Sequence, residues 1–244
     1  MRRSRVVVAV VVAAVLGFVA GLAAPRLTGS GGERRRPAVF FRVPTHRRLV
    51  ALTFDDGPDP RWTPTVLSLL DRYHAKATFF LVGANAVAHP DLVHAELAAG
   101  DEVANHSYDH PDLVLLSPAG VDSEVERATT ALQQVGAPAP RYFRPPRGLT
   151  DEAVGVIADV HRYRTVLWDL AVEHFVDHVP TVAEGVRLML DRVRPGSIIL
   201  AHDGGIPDRR RTMEALPLLL GGLRARGYGL VDVTQLLAAR SHRR

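Results

Sequence analysis

Short apolar runs alternate with helical stretches from about Val39 to the end of the chain, and this pattern limits the fold more than any other feature. Strands are predicted over 49–54, 77–82, 101–105, 141–143, 164–168, 197–200 and 229–232. Helices are predicted over 63–73, 91–99, 117–135, 150–159, 181–193 and 212–226. Thr63 and Ser117 stand where caps belong, each followed by Pro, and Gly100 ends the second helix. Such alternation means βα units and a parallel sheet. Seven strands suggest a closed or nearly closed barrel rather than a doubly wound sheet. No Gly-x-Gly-x-x-Gly follows a strand, so a dinucleotide site has no support.

Polar residues gather where these strands end. Asp55 and Asp56 follow the first strand and are cut off by Gly57-Pro58. His106, Ser107, Asp109 and His110 follow the third. Arg144-Pro145-Pro146-Arg147-Gly148 follows the fourth, Trp168-Asp169 the fifth, and His202-Asp203 the sixth. In a barrel of parallel strands these loops meet on one face, where sites are built. Asp55-Asp56 alone also reads as a turn in which Asp bonds its own backbone. His106 and His110, four apart, are expected on one face of a single helical turn, close enough to hold one ion. With Asp56 they make two imidazoles and a carboxylate, leaving a coordination position open as catalytic zinc sites do. Nitrogen and oxygen ligands without sulfur suit zinc first, and also cobalt, nickel or iron.

Composition excludes several alternatives. The chain has 244 residues, enough for one domain with a real core, and no Cys, so disulfides, thiol chemistry and Cys-bound zinc are ruled out. The formal net charge is +4. The basic clusters Arg34 to Arg36, Arg209 to Arg211 and Arg240 to Arg244 fall in expected loops and ends, with no aromatics between them. Solvated tails, or contact with anionic lipid or wall polymer, explain them better than nucleic acid.

Residues 6–25 carry no charge and follow three Arg. Their helical length, roughly 30 Å, matches the hydrocarbon core of a bilayer. Residues 1–27 are therefore expected to be a signal-anchor helix or a cleaved signal peptide. A flexible linker is expected over 28–38 and the folded domain over 39–240. An uncleaved helix would tie the chain to a membrane.

With these pieces assembled, the chain closely resembles the polysaccharide deacetylases, carbohydrate esterase family four. Thr53-Phe54-Asp55-Asp56-Gly57-Pro58, His106-Ser107-Tyr108-Asp109-His110, Arg144 to Gly148, and Leu200-Ala201-His202 match four of its motifs in order. The resemblance spans roughly 48–237 and implies a distorted barrel of about seven βα units, its site at the carboxyl ends of the strands. It implies that Asp56, His106 and His110 bind the metal, that Asp55 is the general base held by Arg144, and that His202 is the general acid. The backbone N–H of Arg147 would help bind the oxyanion, and Leu200 would line the acetyl pocket. Trp168 and Phe175 would complete the substrate contacts. The implied activity is metal-dependent removal of N-acetyl groups from an acetylated envelope or chitin-like polysaccharide. An O-acetyl esterase, or a glycan-binding protein with a decayed site, are the alternatives.

One motif departs from the pattern. Aligned on Trp168, two acids usual in the family fall on Ala171 and His174, and the usual Trp on Phe175. The first of those acids supports the acidic histidine, so His202 needs another partner, with Asp169 and Glu173 as candidates. Arg147 stands where the family commonly has Tyr, which would make the substrate-facing surface basic.

Overall fold

The structure, a computed structural model, describes residues 39–206 and 208–241. The expected signal or anchor (1–27) and linker (28–38) lie outside the described residues. Among the described residues no helix is long and apolar enough to cross a membrane.

The sheet is parallel throughout. Its strands are β1 (Val39–Phe40), β2 (Leu49–Asp55), β3 (Ala77–Leu81), β4 (Glu102–Asn105), β5 (Tyr142–Phe143), β6 (Arg164–Val166), β7 (Leu170–Ala171), β8 (Ile198–His202) and β9 (Gly229–Val231). Their order is β1-β6-β5-β4-β3-β2-β8-β7, with β9 added to β2. β6 bonds to β5 while β7, four residues further along the chain, bonds to β8. The sheet therefore curls until its two sides meet in one interrupted strand, giving the expected distorted barrel.

Burial on both faces explains the unbroken apolar run of β2, whose side chains alternate between two cores. Val50, Leu52 and Phe54 pack outward under α1 (Thr63–Arg72) and α8 (Arg210–Ala225), meeting Leu69, Leu216 and Leu220. Ala51 turns inward with Phe80, Ala104, Val166 and Ile198, and α9 (Val233–Ala238) joins that inner cluster through Val233 and Leu236. Thr53 and Asp55 continue the inward column of β2. Register places Thr53 beside Leu200 and Asp55 beside His202.

The strand predicted over 164–168 stops at Val166, because residues 167–169 break it. Arg144 fills the break. Its guanidinium donates to the carbonyls of Val166 (2.8 Å) and Leu167 (3.2 Å), which the sheet no longer uses. Asp169 closes the other side by accepting from Ser197 Oγ and Ile198 N–H, both at 2.8 Å.

The remaining helices are α2 (Gly83–Ala88), α3 (Pro90–Ala98), α4 (Pro118–Gln134), α5 (Glu152–Val160), α6 (Val172–Val176) and α7 (Val182–Leu190). Short elements without a period of their own, β1, β7, α2, α6 and α9, were not expected. Ser117 caps α4 by accepting from Gly120 N–H, as expected. Thr63 does not cap α1. The cap position is Trp62, which makes no side-chain capping bond. The Thr63 hydroxyl is instead committed to Asp203, a buried carboxylate that needs a donor (2.5 Å).

Candidate functional site

Asp55 ends β2 and Asp56 begins the loop. Strict alternation would send their side chains to opposite faces. Asp56 instead takes a positive φ of 72°, which turns its carboxylate back toward the cavity that Asp55 faces. Close approach of the loop after β8 holds it there. Gly205, at φ 80°, lies so near the Asp56 carboxylate that a Cβ would overlap it.

The loop 106–110 also departs from expectation, since it is not a helical turn. Ser107 and His110 take positive φ values of 63° and 58°, and side chains satisfy four successive backbone N–H groups. Asn105 Oδ1 accepts from Ser107, Glu124 Oε2 from Tyr108 and Asp109, and Ser107 Oγ from His110. Such a loop aims two imidazoles with no helix period. Their ring centroids are 5.0 Å apart.

Asp56, His106 and His110 each offer one ligand atom, all within 4.8 Å of one another. Asp56 Oδ1 faces His110 Nε2 at 3.1 Å and His106 Nε2 at 3.4 Å, and is otherwise unpartnered although buried. His106 Nδ1 is bonded to the Arg144 carbonyl at 2.7 Å. That bond assigns the proton to Nδ1 and turns a lone pair on Nε2 inward, as metal-bound histidines require. Burial would raise the Asp56 carboxyl, but the two imidazoles outweigh it and hold it well below the usual range. An ionised carboxylate and imidazole nitrogens converging on one point fit a divalent cation.

The other groups surround this centre in a cavity of about 630 Å³. Arg144, wholly buried, donates to Asp55 Oδ1 at 2.5 Å and to Thr53 at 3.1 Å. Its guanidinium lies 4.0 Å from the Phe80 ring centre. Burial lowers the Arg144 pKa, and Asp55 opposes that shift. Asp55 Oδ2 remains on the cavity side, 3.6 Å from His106 Nε2. Leu200, Trp168 and Arg147 line the same cavity, whereas Phe175 lines the adjoining one. Arg147 sits at φ 56°, and its N–H finds no acceptor among the described residues. Its side chain pairs with Asp112, so its charge is largely compensated.

His202 has an acidic partner, and it is Glu173. Glu173 Oε1 lies 3.2 Å from His202 Nδ1 and accepts from the His202 backbone N–H at 3.1 Å and from Thr212 Oγ1 at 2.9 Å. Burial alone would lower the His202 pKa. Glu173, with Asp55 and Asp56 behind it, raises it above the ordinary value. Glu173 is shifted the other way: burial would raise it, and His202 brings it below. Asp169, the other candidate, is spent on the seam at β8.

Arg209 also belongs here, contrary to the reading of 209–211 as a solvated cluster. It is buried, donates to the Gly204 carbonyl at 2.7 Å, and places Nη2 3.4 Å from Asp56 Oδ2 and Nη1 3.9 Å from Glu173 Oε1. In the sequence its only distinguishing signal is its distance from the Gly204-Gly205 turn. Arg210 and Arg211 are spent locally, on Asp208 and on the carbonyls of Val176 and Val179.

Residues 42–166 match the polysaccharide deacetylase family. The chain belongs to that family. It is 36% identical over 199 residues to a peptidoglycan-N-acetylglucosamine deacetylase of Bacillus cereus, covering 82% of this chain and 92% of that one. A chitooligosaccharide deacetylase of Bradyrhizobium sp. is 36% identical over 200 residues, 78% of this chain and 90% of the relative. Among solved structures, a peptidoglycan N-acetylglucosamine deacetylase bound to an N-hydroxybenzamide superposes with a TM-score of 0.78 at 28% identity. The match covers 85% of this chain and 96% of that one.

Proposed function

We propose that this chain removes N-acetyl groups from an N-acetylated cell-envelope or chitin-like polysaccharide, with a divalent metal, zinc by its donor set, held by Asp56, His106 and His110. One observation carries the reading. A fixed carboxylate, a three-ligand cluster and a carboxylate-supported histidine face the same cavity from the carboxyl ends of β2, β4 and β8.

A bound ion would lower the pKa of water and polarise the acetyl carbonyl. The protein's own groups do the rest. Arg144 occupies Asp55 Oδ1, which leaves Oδ2 to take a proton from water. The Arg147 N–H points no bond elsewhere and is free to meet the developing oxyanion, an interaction worth about 3–4 kcal/mol when such a donor is removed. Glu173 holds His202 Nδ1, so Nε2 is the nitrogen that delivers a proton to the departing amine. Leu200 and Trp168 offer apolar surface for the acetyl methyl and the sugar.

The raised His202 pKa favours amide over ester hydrolysis, since an amine leaves only after protonation whereas an alcohol depends on it less. A decayed binding protein would not be expected to keep the ligand set, the Asp55–Arg144 pair and the Glu173–His202 pair together. The uncharged stretch at 6–25 after three Arg supports export, and such polymers lie outside the membrane.

Acetate release from N-acetylglucosamine oligomers and from peptidoglycan, with and without chelator, tests the reading. Asp55→Asn is expected to lower kcat by about 10²–10⁴-fold while zinc content stays at one per chain. Acetate release indifferent to both chelation and Asp55→Asn would sink the proposal.

A further inference from the structure

A second cavity, of about 640 Å³, adjoins the catalytic one and shares two of its walls, Trp168 and Ala171. Arg42, Arg192 and Arg194 line it, with His174 and Phe175 between them. Among the described residues, none of these three guanidinium groups forms an ion pair or side-chain hydrogen bond. This contrasts with Arg147 on the other side of Trp168, which is neutralised by Asp112. The one carboxylate on the wall, Asp169, is spent on Ser197 and on the Ile198 N–H, and feels Arg42 only at longer range. Three cations thus face one committed anion. The Arg192 guanidinium also lies 5.9 Å from the Phe175 ring centre, which sets a charge beside an aromatic face.

Unpaired Arg forks beside aromatic surface suit a carboxylate carried on a sugar ring, with the forks taking the charge and the rings taking the apolar face. The departures in the fourth motif fall in the same place. Ala171 and His174, which stand where the family pattern has acids, both line this cavity, so two repelling charges are absent there.

We propose that this cavity is an anion subsite, and that the substrate carries a carboxylate-bearing sugar next to the N-acetylated sugar that is hydrolysed. Continuity through Trp168 places such a neighbour along the glycan from the reacting residue. The inference rests on the deacetylase reading and narrows its substrate to an anionic, N-acetylated glycan.

Three substrates of equal length separate the possibilities: a neutral N-acetylglucosamine oligomer, an oligomer alternating N-acetylglucosamine with a carboxylated sugar, and the methyl ester of the second. The wild-type chain is expected to show a lower KM for the acid than for its ester, by about tenfold, with the difference shrinking as salt rises. In Arg192→Gln/Arg194→Gln the acid and the ester are expected to converge in KM. Both residues are exposed and, among the described residues, hold no ion pair or side-chain hydrogen bond, and the neutral oligomer reports whether the reaction centre is intact. Equal KM for acid and ester in the wild type, or a preference that survives the double substitution, overturns the subsite. Acetate release from none of the three would instead defeat the deacetylase reading. Titration of metal-free protein with acid and ester, followed by calorimetry, then still decides the subsite, by tighter binding of the acid or by equal binding of both.

Discussion

Glu173 gives His202 a carboxylate partner although the acid usual in the fourth motif is replaced by Ala171. A neutral imidazole cannot give a proton to a departing amine, so the acid role proposed for His202 requires it to stay charged at the working pH. Glu173 raises its pKa and occupies Nδ1. Glu173→Gln keeps an oxygen for the His202 and Thr212 donors but removes the charge. On the proposed mechanism catalysis needs His202 protonated, so activity would fall as pH rises through its pKa, and lowering that pKa would move the alkaline limb of the kcat/KM profile toward acid. A drop in kcat of about 10–100-fold near neutral pH is expected, with zinc affinity little changed. A profile that keeps its alkaline limb would show that another group tunes His202. The sequence left Glu173 and Asp169 undecided for a physical reason. An unbroken strand would set Asp169, two residues before Ala171, on the same side as Ala171, and the break at 167–169 removes that alternation. Arg209 was illegible because its contacts come from a loop folding back past Gly204-Gly205, and no periodicity records such a return.

At the scale of elements, the site depends on how loops are pinned to helices. The loop 106–110 has no repeating hydrogen bonds of its own, and α4 supplies them through Glu124, which binds the N–H groups of Tyr108 and Asp109 at 3.1 and 2.9 Å. Arg127 steadies Glu124 from the same helix at 3.0 Å and stacks on the Tyr108 ring. Glu124→Ala would strand two N–H groups in a partly buried loop. It is expected to destabilise the protein by about 1–3 kcal/mol and, on the proposed metal site, to weaken zinc binding by about 10–100-fold, because both imidazoles hang from that loop. Denaturant melts and competition with a chromogenic chelator measure the two effects. Unchanged zinc affinity would mean that the loop is held by Asn105 and Ser107 alone. The spacing of His106 and His110 anticipated that the two imidazoles converge with Asp56, but through the wrong geometry. Four residues are one helical turn, but they are also the reach of a loop with two left-handed residues, and spacing does not distinguish them. The strands were legible because apolar runs buried on two faces have few alternatives. Two-residue strands such as β5 and β7 exist only through their partners, so β5 was found within a longer predicted run and β7 was missed.

At the scale of the whole molecule, several buried acids bind their protons more tightly than free carboxyls do, and this sets how stability depends on pH. Glu96 of α3 is fully buried, and among the described residues neither carboxylate oxygen has a hydrogen-bond partner. Burial pushes its pKa well up, helped by Asp203 beside the site and Asp101 before β4. Burial likewise pushes Asp101 up to about 6 and Asp203 up to about 7, the latter against the pull of Thr63. For each of them the folded value exceeds the unfolded one, so the folded state binds the proton more tightly. Their contribution is fully present below the unfolded pKa, near 4, and is lost as pH rises through the folded values. Asp101 alone, moving from 3.8 to about 6, accounts for about 3 kcal/mol lost by pH 8. Asp56 and Glu173, both lowered, act oppositely and cost stability only as pH falls below the ordinary carboxylate range. Metal-free protein should therefore be most stable in mildly acid solution and lose stability steadily toward pH 8. Glu96→Met removes a buried carboxyl whose oxygens bind nothing and keeps much of its volume. It should raise stability at pH 8 and flatten the slope between pH 5 and pH 8, as read from urea midpoints at each pH. An unaltered slope would mean that Glu96 reaches solvent or a partner when it ionises, and that Asp101 and Asp203 alone carry the dependence.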